Sequence, residues 1–372
     1  MAKKIKLIFF HPYNSFGGAD RSIIRLINGL NNNKYEIVFL SLNKNSNKKF
    51  FNKKIKFYEL KSKRTIFSIN EIKKIVNYEK VKYNKLIFIS NQNFANIVSC
   101  LALNQLTEVK LFLIERNHPD ELKNYKNFLS FLKNSLMLSL MKILYKKSDK
   151  IIGISRGLSK DLSKMVNKKV ITIYNPASDK KLFKKIREDK INLNQFKGKK
   201  IILNVGFLES QKDQMTLLKA FLLSREKYNN LHLIIIGRGT QYHNLIKFVN
   251  FNNLNKNVSI LTNIMNPTKF YKIADLFVLT SIYEGFANVI VEALSMNCPV
   301  ISSDCNSGPK EILQKNKFGK IFPVGNYATL SKKIIDHFNN PLILKNKTRL
   351  FKSVKKYNLK NYIKAYESLF NE

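Results

Sequence analysis

Two glutamates, Glu284 and Glu292, have seven residues between them in the most informative stretch of the sequence. The pattern predicts a strand over residues 276–279, a polar loop over 280–286 and a helix over 287–296. The N–H groups and dipole at such a helix start can hold a phosphate. Because carboxylates would repel a phosphate, the two glutamates are better suited to accept hydrogen bonds from the hydroxyls of a sugar or ribose. By itself, their spacing is also typical of a solvated helix face.

A lysine supplies the complementary charge. Lys212 follows the predicted strand 200–205, where its ammonium could neutralise a leaving diphosphate without a metal. The alternative is an ordinary loop lysine. The strand 299–302 leads to Pro309, which opens a further helix at the same sheet edge. The G-x-G element at 237–239 is a weaker signal, because it often marks only a tight turn after a strand.

Apolar runs of strand length alternate with helix-period segments along the chain, which predicts βα units and parallel sheets. The alternation starts twice. The first series has strands at 5–10, 36–42, 85–90, 110–115, 150–155 and 170–174, and the second at 200–205, 232–236, 258–261, 276–279 and 299–302. Residues 176–200 have the composition of a linker. The predicted fold class is therefore α/β, with two Rossmann-like doubly wound parallel-sheet domains facing a central cleft.

The composition is strongly basic, with 66 Lys and Arg against 25 Asp and Glu and a net charge of +41. Such charge suggests nucleic acid, an anionic membrane or an acidic substrate as partner. However, only nine of the basic residues are arginine, and lysine, asparagine and isoleucine are typical of A/T-rich codons. No recognition helix, zinc finger or aromatic stacking motif supports a nucleic-acid-binding protein. A dinucleotide oxidoreductase is disfavoured because residues 14–18 after the first strand do not form G-x-G-x-x-G.

The cysteines and histidines argue against metal and disulfide sites. Cys100, Cys298 and Cys305 are too few and too scattered for a disulfide framework or a zinc site, which favours a reducing cytosol. No histidine pairs with an acid at helical spacing, so we expect no metal. The apolar run 5–10 ends before a secretory core could form. No uncharged apolar run approaches ~18 residues, so we expect no membrane-spanning helix.

One helical segment, residues 128–145, allows two interpretations. Its large apolar residues include Phe128, Phe131, Leu132, Leu136, Leu140, Ile143 and Leu144, with Lys133, Lys142, Lys146 and Lys147 around them. This pattern is typical of a basic amphipathic helix lying on an anionic membrane. The alternative, which base rates favour, is a core helix of the first domain with solvated lysines.

Three segments together resemble the signature of the retaining glycosyltransferases of family 4: SIYEGFANVIVEAL at 281–294, NCPVI at 297–301 and SGPKEIL at 307–313. The resemblance extends over nearly the whole chain and includes residues 17–21, 154–155, 175–176 and 206–212. It implies a GT-B enzyme. Its domains would be an acceptor-side domain at 1–178, a nucleotide-sugar-binding domain at 179–352 and a C-terminal helix at 353–372 that packs back toward the first domain.

The resemblance also implies roles for residues of the second domain. Glu284 would contact hydroxyls of the transferred sugar, and Glu292 the ribose hydroxyls. Phe286, Ala287 and Asn288 would lie beside the diphosphate at the helix start. These assignments carry over only because the corresponding motif stands at these positions.

Further residues carry the resemblance on both domains. Lys212 and Gly206 would bind the donor diphosphate, while Gly17 and Gly18 would let a loop approach donor or acceptor. His118 stands where many members place a histidine at the sugar, and its alternative is a hydrogen-bonded loop histidine. One departure is Phe207, since many members have arginine after the glycine equivalent to Gly206. Arg238 is a candidate replacement for that cation.

The predicted activity is a retaining transfer of a hexosyl or N-acetylhexosaminyl unit. The donor would be a nucleotide-diphosphate sugar, by resemblance a UDP-sugar, and the acceptor a lipid-linked glycan or polysaccharide of the cell surface. We expect no cofactor and no metal, because the nucleotide sugar is a co-substrate and no D-x-D occurs. The expected location is cytoplasmic and peripheral at the inner membrane face, with an anionic membrane surface as partner and no specific nucleic acid.

Overall fold

A computed structural model of the chain describes residues 4–12, 17–42, 46–52, 55–81, 85–123, 125, 127–178, 192–340 and 347–372. The chain divides into two compact units, Met1–Pro176 with Leu359–Glu372, and Ala177–Asn358. The domain limits predicted from the sequence were 178 and 352. Most of the predicted linker 176–200 lies outside the described residues.

The first unit contains a seven-stranded parallel sheet in the order β3-β2-β1-β4-β5-β6-β7. Its strands are β1 Ile5–Phe10, β2 Tyr35–Leu42, β3 Lys56–Leu60, β4 Leu86–Asn91, β5 Val109–Glu115, β6 Lys150–Gly153 and β7 Val170–Thr172. Its helices are α1 Gly18–Gly29, α2 Ile69–Lys80, α3 Asn93–Leu103, α4 Phe128–Leu144 and α5 Arg156–Val166. The central strands β1 and β4 are almost wholly buried, as continuous apolar runs require when helices cover both sheet faces.

The second unit contains a six-stranded parallel sheet in the order β10-β9-β8-β11-β12-β13. Its strands are β8 Lys200–Val205, β9 Leu231–Ile236, β10 Val258–Leu261, β11 Leu276–Leu279, β12 Val300–Ser303 and β13 Lys320–Phe322. Its helices are α6 Gln214–Arg225, α7 Tyr242–Phe251, α8 Thr268–Ile273, α9 Asn288–Ser295, α10 Pro309–Ile312, α11 Tyr327–Asn339 and α12 Lys347–Val354. Together the two sheets confirm the predicted fold class of two doubly wound parallel-sheet domains.

The last helix, α13 Leu359–Asn371, belongs to the first unit although it follows the second in sequence. The ring of Phe370 packs edge-on against Tyr35, with centroids 5.8 Å apart. The hydroxyl of Tyr362 donates to the carbonyl of Ser22 at 3.4 Å. Aromatic side chains of α13 therefore complete the core on one side of the first sheet.

Each sheet has a switch point, where strand order reverses and ligands of doubly wound folds bind at the carboxyl ends. In the first sheet the switch point lies between β1 and β4, and in the second between β8 and β11. Gly17 and Gly18 stand at the start of α1, the first helix after β1 in the chain. The loop with Lys212 follows β8, and the loop with Glu284 follows β11. The lysine and the glutamate therefore flank one switch point.

Helix α4 corrects the prediction that no helix could span a membrane. Among the described residues, the helical segment Phe128–Lys147 is long and apolar enough to cross a bilayer by length and composition. Only 22% of its most apolar window is buried. Of its apolar side chains, Met137, Met141 and Leu144 are buried. The core-helix interpretation therefore holds for one face of the helix and fails for the rest.

Candidate active site

Hydrogen bonds join the two loops that flank the switch point of the second sheet. The Ile282 amide donates to the Gln211 carbonyl at 2.8 Å. The side-chain amide of Gln211 donates to the Tyr283 carbonyl at 2.7 Å. The Thr280 hydroxyl donates to the Lys212 carbonyl at 2.8 Å. These hydrogen bonds therefore hold the two loops in a fixed position relative to each other.

An ion pair lies at the centre of these loops. The ammonium of Lys212 donates to Oε1 of Glu284 at 2.5 Å, and both side chains are mostly buried. The hydroxyl of Ser281 donates to the same oxygen at 2.7 Å. A Cβ built on Gly206 would lie 3.8 Å from the stem of Lys212, so this glycine borders the lysine directly. The structure thus brings together three residues predicted from sequence, with Ser281 as an additional member.

The loop after β12 supports the glutamate from the other side. The hydroxyl of Ser307 donates to the Glu284 carbonyl at 2.5 Å, and Ser303 donates to the Ser281 carbonyl at 2.6 Å. Gly308 has a φ of +90°, and a Cβ there would meet the carbonyl oxygen of Phe286 at 2.5 Å. Only glycine allows the two backbones to approach this closely.

Helix α9 begins at an unusual backbone conformation. Ala287 precedes the helix with a φ of 64° and a ψ of 62°, the left-handed region that alanine seldom adopts, and it provides no side-chain cap. Strained residues of this kind cluster at functional sites. Asn288 is the first residue of the helix. The helix start can therefore accept a ligand oxygen where other helices have a capping side chain.

Glu292 lies farther along α9 and is buried. The hydroxyl of Tyr271 donates to its Oε2 at 3.2 Å. A buried carboxylate needs hydrogen-bond donors, and the Tyr271 hydroxyl provides one for Glu292. Tyr271 lies 21 residues away on α8, so no motif in the sequence links it to Glu292.

The side chains of Phe286 and Cys305, near the ion pair in sequence, are not placed for catalysis. The ring of Phe286 is buried and packs edge-on against Tyr357, with centroids 5.1 Å apart. Only its backbone lies beside the glycine turn at 308. Burial, and secondarily the charge of Glu284, raises the pKa of the Cys305 thiol to about 12. This thiol stays protonated at neutral pH and is not a nucleophile.

The G-x-G element has a packing role that the sequence left open. A Cβ on Gly237 would lie 1.8 Å from the Gly206 carbonyl oxygen, and one on Gly239 2.4 Å from the Leu208 carbonyl oxygen. The Leu208 amide donates to the Arg238 carbonyl at 2.9 Å. These glycines therefore let the β9 loop lie directly against the loop that carries Lys212. Phe207, in that same loop, is 39% exposed.

In the first unit, a chain of hydrogen bonds between side chains holds Gly17 at the start of α1. The Gly17 amide donates to Oδ2 of Asp20 at 3.1 Å. The other oxygen of Asp20 lies 3.3 Å from Nε2 of His11, whose Nδ1 lies 2.8 Å from the side-chain amide of Asn91. Side chains just after β1 and at the end of β4 thus fix the start of α1 at the switch point of the first sheet.

Arg116 extends this chain toward the end of the unit. Its Nε donates to Asn91 at 2.5 Å and its Nη1 to Asn175 at 2.8 Å. The guanidinium is buried and its Nη2 has no partner among the described residues. Beside it, burial raises the pKa of Glu115 to about 7, and the Tyr145 hydroxyl donates to this carboxyl at 2.8 Å. Sequence reasoning missed Arg116 because its partners are 25 and 59 residues away.

His118 belongs to the same unit and is buried between two aspartates. Its Nε2 lies 3.1 Å from Oδ2 of Asp161, and its Nδ1 lies 3.1 Å from Oδ2 of Asp120. Both ring nitrogens thus already have partners, as the loop-histidine interpretation requires. Its role at a sugar stays a prediction.

Comparisons with known proteins agree with this geometry. Residues 185–368 match the family glycosyl transferases group 1. An uncharacterized glycosyltransferase of Methanocaldococcus jannaschii is 35% identical over 261 residues, which cover 66% of this chain and 63% of that protein. The chain thus spans less than two thirds of that relative's length.

Two further proteins match over most of their length. The N-acetylgalactosamine-N,N'-diacetylbacillosaminyl-diphospho-undecaprenol 4-alpha-N-acetylgalactosaminyltransferase of Campylobacter jejuni is 29% identical over 334 residues, 86% of each chain. Among solved structures, HepE of Anabaena in complex with UDP and glucose has a TM-score of 0.78 at 14% identity, covering 99% of this chain and 100% of that chain. At that identity the likeness concerns the fold, and it confirms the predicted GT-B class.

Proposed function

Because this chain belongs to the glycosyl transferases group 1 family, we propose that it transfers a hexosyl or N-acetylhexosaminyl unit from a UDP-sugar with retention of configuration. The observation that carries the proposal is the Lys212–Glu284 pair at the switch point, beside the uncapped start of α9. The pair combines an ammonium that can bind a diphosphate with a carboxylate that can accept hydrogen bonds from hydroxyls. A nucleotide sugar carries both a diphosphate and sugar hydroxyls.

The proposed mechanism is electrostatic. The bond between the anomeric carbon and the diphosphate oxygen breaks, and Lys212 and the dipole of α9 stabilise the departing diphosphate. The acceptor hydroxyl attacks from the same face of the sugar, its oxygen bonds to the anomeric carbon, and its proton passes to the departing diphosphate. Glu284 orients sugar hydroxyls, and Glu292 receives the ribose hydroxyls. Phe286, Ala287 and Asn288 contribute backbone beside the diphosphate, with Gly206 allowing its close approach.

Residues of the first unit complete the proposal. Gly17 precedes α1 and is held by Asp20, and Gly18 is the first residue of the helix. Their lack of side chains suits close approach of donor or acceptor. His118 is a candidate contact of the transferred sugar. In that role it would keep one aspartate as an orienting partner and exchange the other for a hydroxyl.

We propose a lipid-linked glycan or polysaccharide as acceptor, in cell-surface glycan biosynthesis at the cytoplasmic face of the membrane. The name of the Campylobacter jejuni relative, which specifies a diphospho-undecaprenol acceptor, supports this class. Anomeric configuration can be read by NMR of the product, and retention is the expected result. An inverted product would contradict the mechanism and leave the transferase activity standing.

The donor proposal is tested by a screen of UDP-, GDP- and ADP-sugars, measuring release of the nucleoside diphosphate. We expect turnover with at least one UDP-hexose or UDP-N-acetylhexosamine, and a thermal shift with UDP. The variant Glu284→Gln should lose turnover. Turnover with GDP- or ADP-sugars alone would show that the nucleotide base of the donor is not uracil. No thermal shift or turnover with any of them would overturn the donor class.

We also propose that the reaction needs no divalent metal, because Lys212 supplies the positive charge at the diphosphate. Activity should survive EDTA. Abolition by EDTA with rescue by a divalent ion would overturn this part of the proposal alone.

A further inference from the structure

Helix α4 of the first unit carries large apolar side chains on its solvent side. Phe128, Leu136 and Ile143 are 71%, 60% and 61% exposed, and Leu129 and Leu132 are exposed as well. Single exposed apolar residues are common on protein surfaces. A contiguous row of them along one helix marks an interaction site.

The helix has two distinct faces. Met137, Met141 and Leu144 are buried against the first unit. At about 100° per residue, Leu132, Leu136 and Ile143 project within about 40° of one another, opposite the buried side chains. The packing of the domain therefore accounts for one face only, and the outward row has no partner in the described chain that would explain its composition.

Lysine residues border this row of apolar side chains. Lys133 and Lys142 are exposed on its two flanks, and Lys146 and Lys147 are exposed at its end. The segment 128–147 contains no acidic residue. Lysines placed in this way can bury their stems along an apolar surface while the ammonium groups reach anionic headgroups.

The first turn of the helix adds aromatic rings. Phe131 packs edge-on against Tyr125, with centroids 5.0 Å apart, and stacks on Phe128 at 6.3 Å. All three rings are exposed. Aromatic and aliphatic side chains on one face with lysines beside them are the composition of helices that lie in the membrane interface.

We propose that α4 is a membrane-docking helix whose outward face inserts into the headgroup region of an anionic lipid bilayer. The helix does not span the bilayer, because its other face is fixed in the domain core. A second copy of the chain is a poorer occupant, because it would bring the same lysines and the same excess charge of +41 against this face.

The chain contains no tryptophan, so a single introduced tryptophan reports directly on insertion. In Leu136→Trp, vesicles of phosphatidylcholine with phosphatidylglycerol should shift the emission to the blue, and brominated lipids should quench it. The control is Phe251→Trp, at an exposed side chain of the second unit. It should show neither change. Equal responses at both positions, or none at either, would overturn the proposal.

Co-sedimentation then separates insertion from charge attraction. The triple variant Leu132→Ser, Leu136→Ser, Ile143→Ser keeps every lysine and should partition at least about tenfold less, about 1.4 kcal/mol, into anionic vesicles at moderate salt. The matched variant Phe251→Ser, Met265→Ser, Val324→Ser, at exposed apolar side chains of the second unit, should bind like the wild type. Circular dichroism checks that both variants are folded.

Three outcomes would overturn the inference. Undiminished binding of the α4 variant would assign vesicle binding to charge alone. Equal partition of the wild type to neutral and anionic vesicles would remove the electrostatic component. A wild-type dimer that the α4 variant converts to monomer, without vesicle binding, would assign the face to a second copy. The inference extends the proposed location, but vesicle binding needs no sugar donor, so its failure is distinguishable from failure of the transferase proposal.

Discussion

The ammonium of Lys212 lies 2.5 Å from Oε1 of Glu284, across the switch point of the second sheet. The pair joins the loop after β8 to the loop after β11, and Ser281 holds the same carboxylate oxygen. Because the two charges neutralise each other, a diphosphate that binds beside Lys212 must share its ammonium with Glu284. The carboxylate of Glu284 could then accept a hydrogen bond from a sugar hydroxyl in place of the one from the lysine.

The first prediction concerns Lys212→Ala. If the ammonium stabilises the departing diphosphate, its loss should lower turnover by about 10²–10³ while the fold is kept, because loss of one preorganised donor typically has this effect. The measurement is nucleoside diphosphate release at saturating donor, at a temperature well below the unfolding transition.

The matched control for this prediction is Lys227→Ala, which removes an exposed lysine of the same unit. It should keep normal turnover, because salt screens an isolated solvent-exposed charge. Near-normal turnover in Lys212→Ala would remove this residue from the proposed mechanism.

The second prediction concerns the contact between Gly308 and Phe286. Gly308→Ala places a Cβ 2.5 Å from a carbonyl oxygen at a φ of +90°, whereas Gly325 has a φ of +74° and open space around it. In Gly308→Ala and in the control Gly325→Ala, an alanine at positive φ costs about 1–3 kcal/mol. Gly308→Ala should lose a further ~1–3 kcal/mol of unfolding free energy through overpacking. Urea unfolding measures both, and equal losses would show that the close approach is unimportant.

The third prediction is a pH dependence due to Glu115. Burial raises its pKa from 4.5 to about 7, so the folded chain holds this proton more tightly than the unfolded chain. The free energy of unfolding should therefore fall as pH rises from about 4.5 to about 7, by about 3 kcal/mol from this group.

Glu115→Gln removes the titrating group and keeps an acceptor for the Tyr145 hydroxyl. The difference between wild type and variant, measured by urea unfolding at pH 5 and pH 8, isolates this contribution from other titrating groups. The variant should gain stability relative to wild type at the higher pH. A difference that does not change with pH would contradict the assignment.

Much of the fold follows from sequence because parallel strands buried on both faces are continuous apolar runs. The central strands, such as β1 and β9, were predicted within one residue of their limits. The two strands that were missed, β3 and β13, each lie at one edge of their sheet. Each begins with lysine and is only partly buried, because an edge strand faces solvent and carries a weaker apolar signal.

The candidate site was predictable only in part. Parallel strands bring their carboxyl ends to one edge, so the meeting of Lys212 with Glu284 follows from topology. Side-chain direction does not follow. The burial of Phe286 against Tyr357 and the contact of His118 with Asp161 depend on residues distant in sequence. The outward apolar row of α4 was likewise hidden, because periodicity shows how many faces are apolar and not which one the core covers.

The last prediction introduces a cation at Phe207, where the resemblance to the family 4 glycosyltransferases implies an arginine. This side chain is 39% exposed and follows Gly206, which borders Lys212. Phe207→Arg should lower the Kd for UDP about tenfold, because a charge-assisted hydrogen bond contributes about 1.5–3 kcal/mol. The control Phe251→Arg adds the same charge at an exposed position on α7 and should leave the Kd nearly unchanged. Calorimetric titration measures both. Equal tightening in the two variants would reflect net charge alone, and no change in either would mean that this position does not face the diphosphate.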